Sequence, residues 1–165
     1  MSDHTTTILQ LFDRTVSESS RHFSINIQAP DTDRETSEDW FSLQNSTNGG
    51  VLISGNSSIS VISGYYWYLK HYCHLHKSWC GERLDPPKSY PLLENPIKKS
   101  CPHRYRVYFN YCTFNYSASW WDWDRWEKEI DFMALNGINM PLSIVGLEGT
   151  WYYALIKSGL SDAEA

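Results

Sequence analysis

Two loops in the carboxy-terminal third of the chain carry side chains suited to binding a sugar. The first holds Asn110, Cys112, Thr113, Asn115 and Tyr116, and the second holds Gly146, Leu147 and Glu148. Amide, hydroxyl and carboxylate groups exchange hydrogen bonds with sugar hydroxyls, and Trp120 or Trp121 offers an aromatic face for stacking. The competing interpretation is that Asn110 and Asn115 only cap loops and that Cys112 fills a gap in the core. The residue types alone leave both interpretations open.

Two other clusters of reactive side chains have simpler explanations. Asp122 and Asp124 are the most obvious pair of carboxylates, but the first fits a helix N-cap and the second a first-turn anion favoured by the helix dipole. The spacing of the segment "CHLHKSWC" matches no common zinc finger, although it contains Cys73, His74, His76 and Cys80. We therefore predict no catalytic carboxylate at the first cluster and no metal or other cofactor at the second.

Composition argues against several classes of function. The chain of 165 residues carries a net charge of −5, which does not suit a general binder of nucleic acid or anionic membranes. No apolar run approaches the roughly 18 residues that a membrane span needs. The amino terminus lacks the basic start and apolar block of a signal peptide. The four cysteines are too few and too scattered for a disulfide scaffold.

The amino-terminal half has the pattern of a small α/β unit. Apolar residues at helical spacing predict a helix over 5–16. "FSINI" alternates like a half-buried strand, and "WFSL" and "GVLISG" predict two strands joined around the turn signal at Asn48. Asn56 to Ser58 then provide the cap of a helix that runs to Cys73.

A proline-rich segment follows this unit. Residues 81–102 contain five prolines, which favour neither a helix nor a central strand. We interpret the segment as a linker with a domain boundary near Pro102. The predicted domains are therefore residues 1–102 and 103–165.

Beyond Pro102 the pattern alternates between strands and helices. "RYRVYFNYC" predicts a buried strand, and "DWDRWEKEIDFMALNG" predicts a helix that Asp122 caps and Gly137 ends. Its apolar side is expected to bury Trp123, Trp126, Ile130, Met133 and Ala134. The strand "INMPLSIVG" and the helix "LEGTWYYALIKSG" come next. Strand, helix, strand and helix with short connections predict parallel strands and right-handed crossovers.

The blocks "WWDWDRWEKEIDFMALNGIN" and "ISGNSSISVISGYYWYLKHYC" carry a resemblance to a known family. Together with the segment around "RYRVYFNYC", they make the chain resemble the α-N-acetylglucosaminidases, glycoside hydrolase family 89, from about Phe23 onward. The resemblance implies a small amino-terminal α/β domain followed by the first two βα units of an incomplete TIM (β/α)8 barrel. It also implies that Asn110, Cys112 and Tyr116 help to form the pocket for the terminal sugar.

Two positions depart from the family pattern. Glu148 lies in a turn written "GLE" here, where the family has "GQE", so Leu147 puts one polar contact of that loop in doubt. We retain Glu148 as a substrate-binding candidate. Pro141 within the second barrel strand lacks an N–H group and is expected to weaken strand pairing.

The resemblance implies a retaining hydrolase that releases terminal α-linked N-acetylglucosamine from glycans such as heparan sulfate. Such enzymes use two carboxylates about 5 Å apart, and in this family both are glutamates from later barrel strands. We therefore assign no catalytic residue in this chain, not even Glu127, Glu129 or Glu148, and expect it to be inactive by itself.

Two alternatives to an enzyme part stay open. One is a non-catalytic carbohydrate-binding or interaction module derived from such an enzyme, and the other is an incomplete gene model. The family implies a lysosomal or extracellular location, whereas the sequence shows no signal peptide. The expected partner is a glycan ending in N-acetylglucosamine, without nucleic acid, membrane or cofactor.

Overall fold

A computed structural model describes residues 3–28, 38–47, 49–142 and 147–164, without the side chains of Asp3, Phe114 and Asn115. The amino-terminal elements in chain order are α1 (Asp3–Thr15), β1 (Phe23–Ile27), β2 (Asp39–Asn45), β3 (Val51–Gly55), α2 (Ser58–Tyr72), β4 (His76–Ser78), β5 (Gly81–Arg83) and β6 (Ile97–Cys101). They are followed by β7 (Val107–Tyr108), α3 (Tyr111–Asn115), α4 (Trp123–Leu135), β8 (Met140–Pro141) and α5 (Leu147–Lys157).

A four-stranded sheet in the order β1-β3-β2-β6 forms the base of the amino-terminal unit. β1 pairs with β3 in parallel, and the other two pairs are antiparallel. The predicted alternation of β1 is confirmed, since Phe23 is buried while Ser24 is exposed. The two predicted strands on either side of Asn48 are also confirmed as β2 and β3, although Asn48 itself lies outside the described residues.

Helix α2 lies across this sheet and holds the core together. The Ser57 side chain caps it by accepting a hydrogen bond from the Ser60 N–H at 3.0 Å. On the side facing α1, the ring of Tyr65 stacks on Phe12 with a centroid distance of 3.8 Å. The Tyr65 hydroxyl donates to the backbone carbonyl of Phe12, so this polar group is satisfied inside the core. Both predicted helices of the unit, α1 and α2, are therefore confirmed.

The proline-rich segment contributes a strand at each of its ends, and its interpretation as a linker stays a prediction. Its beginning, Gly81–Arg83, forms β5, which pairs with β4 in a hairpin, and Ile97–Cys101 forms the edge strand β6. Between them Leu93 is buried, and its backbone N–H donates to the Asn45 side chain at 2.8 Å. The prolines flank β6 instead of interrupting it, and an edge position tolerates nearby proline. The boundary near Pro102 stays a prediction.

Helix α4 has the termini that its sequence predicts. The Asp122 side chain accepts from the Arg125 N–H at 2.9 Å. At the other end Gly137 has a φ of 75°. Its N–H donates to Ala134, and the next N–H, of Ile138, donates to Met133, which is the Schellman arrangement.

The buried face of α4 differs from the prediction. Met133 and Ala134 are buried as expected, but Trp123 is 67% exposed and Ile130 is 44% exposed. Two carboxylates, Glu129 and Asp131, are buried in this helix instead. The apolar pattern is overridden because both carboxylates find cationic partners in the folded chain.

β7 and β8 pair in parallel, as the alternation of strands and helices predicts. The two strands have two residues each, and Val107 is 64% exposed, so the prediction of a buried strand is wrong for this part of the structure. Pro141 does not weaken the pairing. Met140 donates to the carbonyl of Arg106, just before β7, and Leu142 donates to that of Tyr108. The missing N–H of Pro141 therefore falls at a position that donates none.

Helix α5 completes the second βα unit, as predicted. It buries none of its residues, and Trp151 and Tyr153 are both about two-thirds exposed. Among the described helices, none is long and apolar enough to span a membrane.

Candidate functional site

Strand β7 ends in a backbone turn that presents Asn110. Phe109 has a φ of 70°, a conformation that costs energy for a residue with a large side chain and is often found at functional sites. Asn110 then returns to extended backbone and caps α3. Its Oδ1 accepts from the Thr113 N–H at 3.0 Å and from the Thr113 hydroxyl at 3.2 Å.

The structure supports one part of the capping interpretation and contradicts another. Asn110 does act as a helix cap, but the cap needs only its Oδ1, and the Nδ2 amide is a donor that the cap does not require. Cys112 is exposed and does not fill a gap in the core. Tyr116 is 76% exposed. Asn115 is not described at its side chain.

Glu148 belongs to the other loop of the candidate site. It lies in the first turn of α5 and is exposed, while Gly146 lies outside the described residues. Because β7 and β8 are parallel neighbours, the segments that follow them leave the same edge of the sheet. Within the described part of the chain, no hydrogen bond joins Glu148 to Asn110, Cys112 or Tyr116. Their common role in binding stays a prediction.

The two tryptophans before α4 have different environments. Trp120 is 93% exposed and offers a free aromatic face. Trp121 is half-buried, with its ring 4.9 Å from Trp126 and 5.9 Å from Trp79. The guanidinium of Arg125 lies 3.9 Å from the centre of the Trp121 ring, within cation–π range. Of the two, Trp120 is therefore the one available to stack on a sugar.

A buried carboxylate lies behind this loop. Glu129 is 1% exposed and accepts from Trp79 Nε1 at 2.9 Å and from the Tyr108 hydroxyl at 3.0 Å. Its other oxygen pairs with Arg125 Nη1 at 2.9 Å. Burial and the neighbouring Glu129 raise the pKa of Tyr108 to about 12, so the phenol stays protonated and donates near neutral pH.

Sequence reasoning missed Glu129 as a member of the site. The signal was its position between Trp126 and Met133, at helical spacing on the same side of α4. A carboxylate on an apolar stripe needs buried partners, yet those partners come from distant segments.

Possible metal ligands and cysteine thiols are the other candidate groups. In the described ranges, no three His, Cys, Asp or Glu side chains are grouped as metal ligands. The four cysteines are all free. Burial raises the pKa of the Cys73 thiol to about 11, which favours the unreactive protonated form.

Comparisons with known proteins identify both parts of the chain. Residues 6–92 match the family model "Alpha-N-acetylglucosaminidase (NAGLU) N-terminal domain", and residues 104–165 match "Alpha-N-acetylglucosaminidase (NAGLU) tim-barrel domain". The human alpha-N-acetylglucosaminidase is 40% identical over 126 residues. That match covers 76% of this chain and 17% of the human protein.

Solved structures of a family 89 glycoside hydrolase from Clostridium perfringens share the fold. Two of them, in complex with 2-acetamido-1,2-dideoxynojirmycin and with PUGNAc, have TM-scores of 0.86 and 33% sequence identity. Each covers 98% of this chain, which covers 18% of the bacterial chain. A third, with two glutamate-to-glutamine substitutions, holds its substrate GlcNAc-alpha-1,4-galactose and has the same TM-score at 32% identity.

These matches confirm the fold class. A small α/β domain precedes part of a TIM barrel, and the described residues form no closed barrel. The chain spans less than a fifth of the length of these relatives. It belongs to the alpha-N-acetylglucosaminidase family, glycoside hydrolase family 89, of which it carries the amino-terminal domain and part of the TIM-barrel domain.

Proposed function

We propose that this chain forms the amino-terminal part of a glycoside hydrolase that removes terminal α-linked N-acetylglucosamine, and that the end of β7 helps to bind this sugar. One observation carries the proposal. The side chains of Asn110, Cys112 and Tyr116 are exposed after the end of β7, the first strand of the barrel part. A solved relative with this fold binds GlcNAc-alpha-1,4-galactose. In TIM barrels the active site is built from the segments that follow the strands.

The candidate side chains have distinct roles in this proposal. The Nδ2 amide of Asn110 donates to a sugar oxygen while Oδ1 holds the cap of α3. Tyr116 and Trp120 provide exposed aromatic rings for stacking. Cys112 lines the same loop with an exposed thiol, and Glu148 accepts a hydrogen bond from a hydroxyl. All of these residues lie in the proposed barrel unit of residues 103–165, which follows the proposed amino-terminal unit of residues 1–102.

The reaction needs two carboxylates that this chain does not supply. A retaining hydrolase uses a nucleophile and a general acid/base about 5 Å apart. On α4, Glu129 and Asp131 are buried in ion pairs, and Asp122 holds the helix cap. Glu127 lies 3.6 Å from Arg14 of α1. The 165-residue chain is therefore expected to bind sugar without hydrolysing it.

The biological setting extends the same proposal. A glycan ending in α-linked N-acetylglucosamine, such as heparan sulfate, is the expected substrate, and a lysosomal or extracellular location is expected from the family. The net charge of −5 does not favour nucleic acid as a partner. No cofactor is required for general acid and nucleophilic catalysis by carboxylates.

The test is a calorimetric titration of the purified chain with N-acetylglucosamine. Two substitutions at one position separate capping from binding. Asn110→Asp keeps the cap acceptor but removes the amide donor, so it is expected to lower affinity without unfolding α3. Asn110→Ala removes both. Tyr116→Ala is expected to weaken binding, and Tyr111→Ala, which alters a similarly exposed tyrosine on the same short helix, is the matched control.

Two results contradict the proposal. Unchanged affinity in both Asn110→Asp and Tyr116→Ala removes these residues from the site. Hydrolysis of a chromogenic α-N-acetylglucosaminide by the 165-residue chain contradicts the expectation that it is inactive.

A carbohydrate-binding module is the second candidate function. The observation that favours it is the aromatic surface beside α3, where Trp120 is 93% exposed and Tyr116 is 76% exposed. Sequencing the transcript beyond the codon of Ala165 separates the candidates. A reading frame that continues into further βα units with two glutamates supports the enzyme, and a stop codon supports the module.

A further inference from the structure

The loop that carries the candidate sugar-binding residues is held at both ends by one carboxylate. Tyr108 lies immediately before the turn at Phe109, and its hydroxyl donates to Glu129 at 3.0 Å. Trp121 lies at the far end of the loop, where its ring is covered by the guanidinium of Arg125 at 3.9 Å. Arg125 in turn pairs with the other oxygen of Glu129 at 2.9 Å. The loop of residues 109–120 therefore begins and ends beside the same buried carboxylate, that of Glu129.

The same carboxylate joins this loop to the amino-terminal unit. Trp79 follows β4 in the β4–β5 hairpin, and its indole N–H donates to Glu129 at 2.9 Å. The Trp79 ring also contacts Trp121 edge to face at 5.9 Å. Glu129 is thus the point where the hairpin, β7 and α4 meet.

We propose that Glu129 is a positioning residue for the sugar site, whose carboxylate fixes both ends of the loop of residues 109–120 against the amino-terminal hairpin. The proposal rests on the proposed function, because the loop matters only if its side chains bind the sugar. A side chain that is 1% exposed and serves three donors holds its neighbours in one arrangement.

The charge and the acceptor geometry of Glu129 are both needed for this role. All three groups donate to Glu129, and the Arg125 guanidinium and the Trp79 indole N–H cannot accept, so their contacts require an oxygen. Glutamine at this position would direct an N–H₂ group at either Arg125 or the pair of Trp79 and Tyr108. One end of the loop would then lose its anchor while the fold kept a side chain of nearly the same volume.

Asp131 provides a matched control on the same helix. It is also buried, at 4% exposure, and it also pairs with an arginine, but its partner Arg14 lies on α1. Asp131→Asn therefore damages an equally buried ion pair without touching either end of the loop. If Glu129 had only a structural role, Glu129→Gln and Asp131→Asn would lower the affinity for the sugar equally.

The experiment compares wild type, Glu129→Gln and Asp131→Asn as full 165-residue chains. We expect Glu129→Gln to bind N-acetylglucosamine at least about tenfold more weakly, and Asp131→Asn to stay within about twofold of wild type. Backbone amide resonances of residues 108–113 are expected to move in Glu129→Gln and to stay in place in Asp131→Asn. Equal losses of affinity in the two variants, or unmoved resonances in Glu129→Gln, would overturn the inference.

A second pair of variants decides the question if Glu129→Gln does not fold. Tyr108→Phe removes only the hydroxyl that links Glu129 to β7, and Trp79→Phe removes only the indole donor of the hairpin. Tyr108→Phe is expected to weaken sugar binding about fivefold or more with a folded spectrum. Wild-type affinity in both folded variants would refute positioning by Glu129.

A different result would refute the proposed function itself. If the wild-type chain binds no N-acetylglucosamine, the sugar site is refuted for this chain. The amide resonances of residues 108–113 in Tyr108→Phe and Glu129→Gln then still decide whether Glu129 positions the loop.

Discussion

Arg14 and Asp131 form a two-pronged ion pair across 117 positions of the chain. Arg14 Nε and Nη2 donate to the two carboxylate oxygens of Asp131 at 2.8 and 2.7 Å. The hydrogen bond with Asp131 raises the pKa of Arg14 above its ordinary value. The pair connects α1, at the beginning of the amino-terminal unit, to α4 in the barrel part. The two matched domains are therefore joined by side chains as well as by the backbone.

Loss of this pair is expected to destabilise the fold. Asp131→Asn removes the carboxylate partner of Arg14, and the Asp131 side chain is only 6% exposed. It should lower the free energy of unfolding by about 1–3 kcal/mol. Glu127→Gln is the matched control, because that carboxylate is 40% exposed and lies 3.6 Å from the same arginine. It should change stability by no more than about 0.5 kcal/mol. Urea unfolding of both variants checks this, and equal effects would contradict it.

The end of α4 depends on the backbone conformation of Gly137. Its φ of 75° disfavours a side chain, and a Cβ there would lie 3.0 Å from the Ser63 hydroxyl oxygen. Gly137→Ala should therefore destabilise the chain by about 1–2 kcal/mol. Gly149→Ala in α5 has no atom within 4 Å of the new Cβ and should stabilise by up to about 1 kcal/mol. Thermal unfolding distinguishes the two, and a stabilised Gly137→Ala would refute the strain argument.

The free energy of unfolding is expected to fall at alkaline pH because Tyr108 and Cys73 have raised pKa values in the folded chain. Burial is the main cause that raises the pKa of Tyr108 from 10.0 to about 12 and that of Cys73 from 9.0 to about 11. Between the unfolded and folded values the unfolded chain has lost the proton and the folded chain keeps it, so stability decreases as pH rises. The loss begins near pH 9 for Cys73 and near pH 10 for Tyr108. Below pH 9 neither group contributes a slope.

Two variants measure these slopes by urea unfolding between pH 8 and pH 12. Tyr108→Phe should reduce the slope above pH 10, to which Tyr65, Tyr68 and Tyr90 also contribute because burial raises their pKa values. Cys73→Ser should reduce the slope from pH 9 to pH 11. A slope identical to that of wild type in either variant would show that the corresponding group does not titrate as described.

Cysteine reactivity should follow burial and thiolate content. Cys73 is half-buried with a pKa of about 11, whereas Cys80 and Cys112 are exposed. At pH 8 iodoacetamide should modify Cys73 at least about tenfold more slowly than Cys112, because only the thiolate reacts. Mass spectrometry of peptides gives each rate. In concentrated urea the difference should vanish, and a fast Cys73 in the folded chain would contradict the description.

Local sequence patterns predicted the elements whose determinants are short-range. Ser57 and Asp122 cap helices because their side chains accept from N–H groups three residues ahead. Gly137 ends α4 because it tolerates a positive φ. Alternation over "FSINI" identified β1. The family followed from the long block around α4, since its residues are specific to that family.

The candidate site was predicted only in part. The sequence places Asn110, Cys112 and Tyr116 after a strand, and the structure adds that they are exposed at its end. It does not test their contact with a sugar, so that role stays a prediction. Glu129 was missed because its partner Trp79 lies 50 positions away in a hairpin that the sequence suggested only as the start of a linker.

The sequence by itself determined helices α1, α2, α4 and α5, the first strands and the family, but not the short helix α3. Tertiary structure alone decided that β6 joins the sheet, that Pro141 costs no ladder hydrogen bond, and that α4 turns two carboxylates inward. The physical reason is the distance along the chain over which each kind of interaction acts. Caps and periodicity act over a few residues, whereas a buried charge is tolerated only when donors from distant segments reach it.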